Sequence, residues 1–237
     1  MKCTTVLFDL DGTLLPMDQD VFVKHYFGLL AKKLIPHGYE QESLIAGIWK
    51  GTGAMVKNDG SCTNEEAFWN CFCGLMGEHC REDEPIFDEF YHKEFQAVQP
   101  ACGFDPRAAQ VVARCKALGL TPVLATNPIF PAVATRSRAR WAGLDLCDFA
   151  LYTTYENARF CKPNPKYYLD ILQKLGKVPQ ECLMVGNDVK EDMVAQTLGM
   201  QVFLLTDCLI NKENQDISQY PQGSFPELLA FLEQLER

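Results

Sequence analysis

An uninterrupted apolar run, Val6-Leu7-Phe8, ends in two acids, Asp9 and Asp11, before the chain breaks at Gly12-Thr13. A run without polar alternation predicts a strand buried on both faces. Successive strand residues alternate sides, so Asp9 and Asp11 share one side and Leu10 takes the other. From Met17 to about Gln99 the spacing turns helical. Val21, Phe22, Phe27, Leu29, Leu30 and Leu34 make a broad apolar face over 21–34. A second helix is expected over 41–50, followed by a Gly-rich loop at 51–61. A third helix, capped by Thr63 or Asn64, opens on Glu65 and Glu66. A fourth runs over 85–98, and no strand alternation interrupts the stretch.

After Pro100 helices and strands alternate, which predicts a parallel sheet with right-handed crossovers and an α/β fold. Asp105 reads as an N-cap with Pro106 at the first helical position, and the helix it opens stops on Gly119. Strands are expected at 121–127, 149–152, 182–188 and 200–205. Helices are expected at 131–143, from Pro165 to Gly176, over 189–199 and over 226–236. The first strand is thus parted from its sheet by a helical insert of small-domain size. The division is a core of 1–16 and 100–237 and a helical cap of 17–99, placed to cover the turn after Asp9.

Composition removes several function classes. The chain has 237 residues, 47% apolar and 22% charged, and a net charge of −9, which argues against nucleic-acid or membrane-surface partners. No apolar run is long enough to cross a bilayer. The N-terminus turns acidic too early for a signal peptide, so a cytoplasmic protein, monomer or homodimer, is expected. Eleven scattered cysteines suit free thiols in a reducing compartment. Cys62, Cys71, Cys73, His79 and Cys80 cluster in sequence, but a C-x-C pair on a helix points its thiols apart, unlike a zinc site.

Four strand ends supply polar groups: Asp9 and Asp11; Thr126 and Asn127; Lys162 in the loop at 161–165; and Asn187, Asp188 and Asp192. The carboxyl ends of parallel strands converge on one edge of a sheet. The set lacks a catalytic His, a G-x-S-x-G elbow and a phosphate-binding Gly-rich loop. An Asp carboxylate can accept a phosphoryl group as a nucleophile. Asp9, Asp188 and Asp192 would face a phosphate monoester, and each like-charge pair about 4 Å apart costs on the order of 4 kcal/mol at an effective dielectric near 20. Lys162 alone cannot offset several such pairs, so charge balance calls for a divalent cation, Mg²⁺ by its oxygen ligands. In this scheme Asp9 attacks phosphorus, and Asp11 protonates the leaving oxygen and later activates water. Thr126 and Asn127, with backbone N–H groups near Gly12 and Thr13, bind the transferring oxygens. Lys162 neutralises charge, Asp188 holds the metal, and Asp192 orients Lys162 or a metal-bound water.

The sequences DLDGT, ATN, KPNP and GNDVKED, in this order, resemble the four motifs of the haloacid dehalogenase (HAD) superfamily of hydrolases. The helical insert directly after the first motif is similar to that of its type I cap subclass. The resemblance implies a Rossmann-like, doubly wound core with five parallel strands, an Asp9 nucleophile, an Asp11 acid/base and Mg²⁺. It also implies metal ligands in the Asp9 side chain, the Asp11 backbone carbonyl and an acid of the last motif. Most members read Gly-Asp there; here Asn187 intervenes, so Asp188 is the expected ligand and Asn187 the alternative. An acid at position 11 disfavours dehalogenation and phosphonate cleavage and favours a phosphatase of small phosphorylated metabolites. A phosphomutase and a non-hydrolytic phospho-accepting protein are the alternatives. Substrate selection is expected from the cap, with Met17, Asp18, Phe22, Tyr26, Lys50 and Lys57 as candidates.

Overall fold

The computed structural model describes residues 2–235; Met1, Glu236 and Arg237, which fall within the expected core and C-terminal helix, lie outside the described residues. Five strands, β1 (Thr5–Phe8), β2 (Thr121–Leu124), β3 (Cys182–Gly186), β4 (Gln201–Leu205) and β5 (Gln222–Gly223), form one sheet in the order β2-β1-β3-β4-β5. All pairings are parallel. The apolar run of β1 is buried on both faces because helices cover both. Val6 and Phe8 join a core with Leu183, Val185 and Leu228 on one side, while Leu7 packs with Met184, Tyr168 and Ile171 on the other.

Strand order makes the site. From β1 the chain builds outward to β2 on one side and through β3, β4 and β5 on the other, so the order reverses between β1 and β3. In open α/β sheets the crevice at such a reversal, beyond the carboxyl ends of the strands, is where ligands bind. Asp9 follows β1 and Asn187-Asp188 follow β3, which places them at that crevice.

Between β1 and β2 lie α1 (Gln19–Leu34), α2 (Gln41–Val56), α3 (Asn64–Met76), α4 (Glu84–His92) and a 3-10 segment, Glu94–Ala101. The insert leaves and rejoins the core side by side, through an antiparallel bridge between Met17 and Cys102 and a bond from the Gly103 N–H to the Pro16 carbonyl (2.7 Å). Thr63 caps α3 in a reciprocal box with Glu66. Its neighbour Asn64, fully buried, donates to the Pro128 carbonyl (3.1 Å), and the Glu65 N–H donates to the Tyr155 carbonyl (2.9 Å), docking α3 on the core loops. The core helices are α5 (Pro106–Ala117), α6 (Ala132–Trp141), α7 (Pro165–Leu175) and α8 (Phe225–Gln234). Among the described residues no helix is long and apolar enough to cross a membrane.

Four local expectations are corrected. The stretch expected as a Gly-rich loop continues α2 to Val56, and its glycines serve packing. A Cβ at Gly51 would lie 2.6 Å from Phe68, and one at Gly47 would lie 3.0 Å from Phe72, both on α3. The strand expected at 149–152 is a single bridge, Leu124 to Tyr152. Its partner strand carries Pro122, which accepts from Ala150 (2.9 Å) but has no N–H to return. The helix expected at 189–199 is a turn followed by a 3-10 segment, Met193–Leu198, with the Asp188 and Asp192 side chains accepting backbone N–H groups in the turn. The helix expected over 85–98 ends at His92 and passes into the 3-10 segment holding Pro100. One short strand, β5, went unpredicted.

Candidate active site

Asp9 is held from two sides. Lys162 Nζ donates to its Oδ1 (2.7 Å) and Thr13 Oγ1 donates to its Oδ2 (3.0 Å). Gly12 adopts the left-handed φ of +86° and a Cβ there would overlap the Asn187 side chain, so the tight turn requires glycine. The turn returns Thr13 beneath Asp9. Thr13 also lies 2.9 Å from Asn187 Oδ1, tying the end of β1 to the end of β3.

Lys162, 1% exposed, bridges Asp9 and Asp192 with 2.7 Å contacts to each. Burial pulls its proton affinity down, but Asp192 and Asp9 together outweigh that and hold the amine firmly charged. Burial raises the Asp192 carboxyl, and Lys162 draws it back. Gly186 is needed here for space, since a Cβ would overlap the Asp192 carboxylate. Asp192 thus meets the Lys162 amine directly.

Asp11 has a partner that the motifs did not reveal. Arg138 on α6, wholly buried, forms an ion pair with Asp11 Oδ2, stacks 4.5 Å from the centre of the Phe130 ring and donates to Thr135 Oγ1 (3.3 Å). The Asp11 Oδ1 is buried with no hydrogen-bond partner. Burial raises the Asp11 carboxyl and Arg138 opposes the rise. The signal was present: Ala134, Arg138 and Trp141 recur at helical spacing on one buried face of α6. A charged residue on an apolar stripe requires an opposite charge within reach.

Thr126 is 1% exposed and its hydroxyl also has no partner, although it faces the cavity wall shared with Asp9 and Asp11. Its carbonyl is held by Thr153 (2.6 Å) and Tyr167 (2.9 Å), which fixes the strand end. Asn127 lines the same cavity, but its side chain is engaged: Oδ1 accepts from the Lys162 N–H (3.2 Å) and Nδ2 donates to Glu191 (3.1 Å). Burial pushes the Glu191 carboxyl up to about 8. Gly12, Thr13 and Lys162 lie behind the cavity surface, supporting Asp9.

Asp9, Asp11 and Asp188 line one cavity, and their carboxylates with a backbone carbonyl fit Mg²⁺, which takes carboxylate and carbonyl oxygens and keeps several waters. Among the described residues no three His, Cys, Asp or Glu side chains form a metal cluster, so a site built here would be open and completed by a backbone carbonyl and water. Asp188 Oδ1 accepts from the Lys190 and Glu191 N–H groups (2.8 and 2.9 Å), leaving Oδ2 for a ligand. Asn187 is occupied at both ends, by Thr13 and by the Cys208 carbonyl (2.7 Å). Four carboxylates, those of Asp9, Asp11, Asp188 and Asp192, meet two cations, Lys162 and Arg138. The excess of negative charge expected from the motifs persists after Arg138 is counted.

Of the expected cap residues, Met17, Phe22 and Tyr26 line the cavity; Asp18 caps α1, and Lys50 and Lys57 are not on the cavity wall. The cysteines are free thiols throughout.

A family model described as a haloacid dehalogenase-like hydrolase matches residues 3–195. The chain belongs to this family. Phosphoglycolate phosphatase of Escherichia coli (strain K12) is 27% identical to it over 226 residues, covering 90% of this chain and 85% of that protein. Hexitol phosphatase A of the same strain is 26% identical over 185 residues, covering 78% of this chain and 74% of that protein. Among solved structures, a HAD phosphatase from Thermococcus onnurineus matches 99% of this chain and 100% of its own, with a TM-score of 0.60 at 20% identity. That likeness is one of fold: the Rossmann-like sheet with its helices is shared along the whole chain.

Proposed function

We propose that this HAD-like hydrolase is a Mg²⁺-dependent phosphatase that cleaves a phosphorylated metabolite through a phosphoryl group carried on Asp9. The observation that carries the reading is the Asp9 carboxylate itself, fixed by Lys162 and Thr13 on the wall of a cavity it shares with Asp11. The names of the phosphatase relatives support it.

Asp9 attacks phosphorus, forming a carboxyl–phosphate bond as the bond to the alcohol oxygen breaks. Asp11 gives its proton to that oxygen. Its raised proton affinity, set by burial, suits it to arrive protonated, while Arg138 fixes Oδ2 and favours the carboxylate left behind. The unpartnered Oδ1 is the atom free to exchange the proton. Asp11 then takes a proton from water, whose oxygen attacks phosphorus, releasing phosphate and restoring Asp9. The unpartnered Thr126 hydroxyl donates to a phosphoryl oxygen, and Lys162 offsets charge on Asp9 from behind. Asn127 serves as a strut between Lys162 and Glu191, its backbone N–H remaining for the phosphoryl group. Mg²⁺ on Asp9, the Asp11 carbonyl and Asp188 would neutralise the charge of the incoming monoester. The insert of residues 17–99 acts as the cap that walls the cavity from the side opposite the sheet.

Phosphate release from phosphomonoesters is expected in Mg²⁺, to fall to background with excess EDTA and to return when Mg²⁺ is restored. Turnover indifferent to EDTA would remove the metal from this account.

A further inference from the structure

The cavity that contains the phosphoryl site has a total volume of about 670 Å³, within the range of pockets that enclose whole organic ligands. Ten aromatic rings line it, from the insert (Tyr26, Trp49, Trp69 and Tyr91 among them) and from the core (Phe130 and Tyr155). Several are locked by ring-to-ring packing: Tyr26 against Phe130 at 5.5 Å and Trp69 against Phe87 at 5.2 Å between centroids. Rings held this way present fixed apolar faces to whatever occupies the space.

The charges on the wall are segregated. Glu65, Glu84 and Glu156 are half-buried where the insert meets the core, whereas the cationic side chains on the lining, Arg136, His92 and Lys212, are all exposed. Glu156 accepts the Ala132 N–H (2.8 Å) as a fixed part of the wall. Burial, together with Glu156 and Glu84, raises the Glu65 carboxyl, while the exposed Arg81, paired with Glu84 (2.7 Å), draws it back.

We propose, resting on the phosphatase reading above, that the alcohol released by this enzyme is bulky and aromatic or otherwise apolar, and carries no carboxylate. A two-carbon acid such as glycolate would leave most of the cavity as water against aromatic walls. Its carboxylate would face a wall that holds Glu65, Glu84 and Glu156 half-buried and whose lining cations are all exposed. An aromatic alcohol instead buries its ring against Trp69, Tyr155 and their neighbours while its phosphate reaches Asp9. This sets the substrate apart from the one named for the phosphoglycolate phosphatase relatives.

The test compares three unactivated alkyl phosphates, so that differences report the pocket rather than the leaving group: 2-phenylethyl phosphate, ethyl phosphate and 2-phosphoglycolate. With Mg²⁺, kcat/KM for 2-phenylethyl phosphate is expected to exceed both others by about tenfold or more, chiefly through KM. In Trp69→Ala the ratio of 2-phenylethyl to ethyl phosphate should fall, and in Glu65→Gln the ratio of 2-phosphoglycolate to ethyl phosphate should rise. Ratios within one preparation are insensitive to how much of a variant is folded. A preference for 2-phosphoglycolate, or equal rates for the ethyl and phenylethyl esters, overturns the proposal and leaves the phosphatase reading standing. Phosphate released from none of the three, nor from any other monoester, overturns both.

Discussion

The Asp9→Asn protein is expected to fold and to release phosphate at least about 10⁴-fold more slowly than wild type, the scale of loss when a covalent nucleophile is removed. The amide has the shape of the carboxylate, and its oxygen can still accept from Thr13 or Lys162, so the pocket keeps its geometry. What it loses is the electron pair that forms the bond to phosphorus. Removing a negative charge from the acid cluster should also leave phosphate-ester binding intact or tighter. Steady-state phosphate release and a thermal melt on the same sample check both halves. A variant with near-wild-type turnover would show that Asp9 is not the nucleophile.

The second large effect concerns Lys162. Its amine is the only cation bonded to Asp9 or Asp192 among the described residues, and it is 1% exposed. Lys162→Met strands two carboxylates in the interior, and breaking a buried ion pair from one side costs about 3–5 kcal/mol. Urea unfolding should show that loss, and turnover should drop by roughly 10²–10³-fold as the phosphoryl group loses its counter-charge. Adding Asp192→Asn to the same protein removes one stranded charge, so stability should recover in part while activity stays low. Equal stability of Lys162→Met and wild type would mean that the triad of Asp9, Lys162 and Asp192 contributes nothing to the fold.

How much of this was legible in the sequence depended on how local each feature is. The strand at Val6-Leu7-Phe8 and the caps at Thr63 and Asp105 are decided by residues within a few positions, and they stand in the structure. The convergence of Asp9, Thr126, Lys162 and Asp188 on one edge followed from parallel strands, whose carboxyl ends share a side. Gly47 and Gly51 misled because their purpose is to admit Phe72 and Phe68 from another helix, a contact no local pattern encodes. Pro122 could have warned that the edge beside β2 would not carry a full strand. Arg138 belongs to no motif, and only its place on the buried stripe of α6 calls for an acid partner. The aromatic cavity is assembled from rings far apart in the chain, each of which alone reads as ordinary core.

The central claim is a covalent phosphoryl group on residue 9. Borohydride added during turnover with Mg²⁺ reduces an acyl phosphate to an alcohol, and peptide mass spectrometry then locates the change. The account predicts homoserine at position 9, dependent on substrate and absent from Asp9→Asn. Reduction at Asp11 or another carboxylate, or none at all under conditions of rapid turnover, would contradict it.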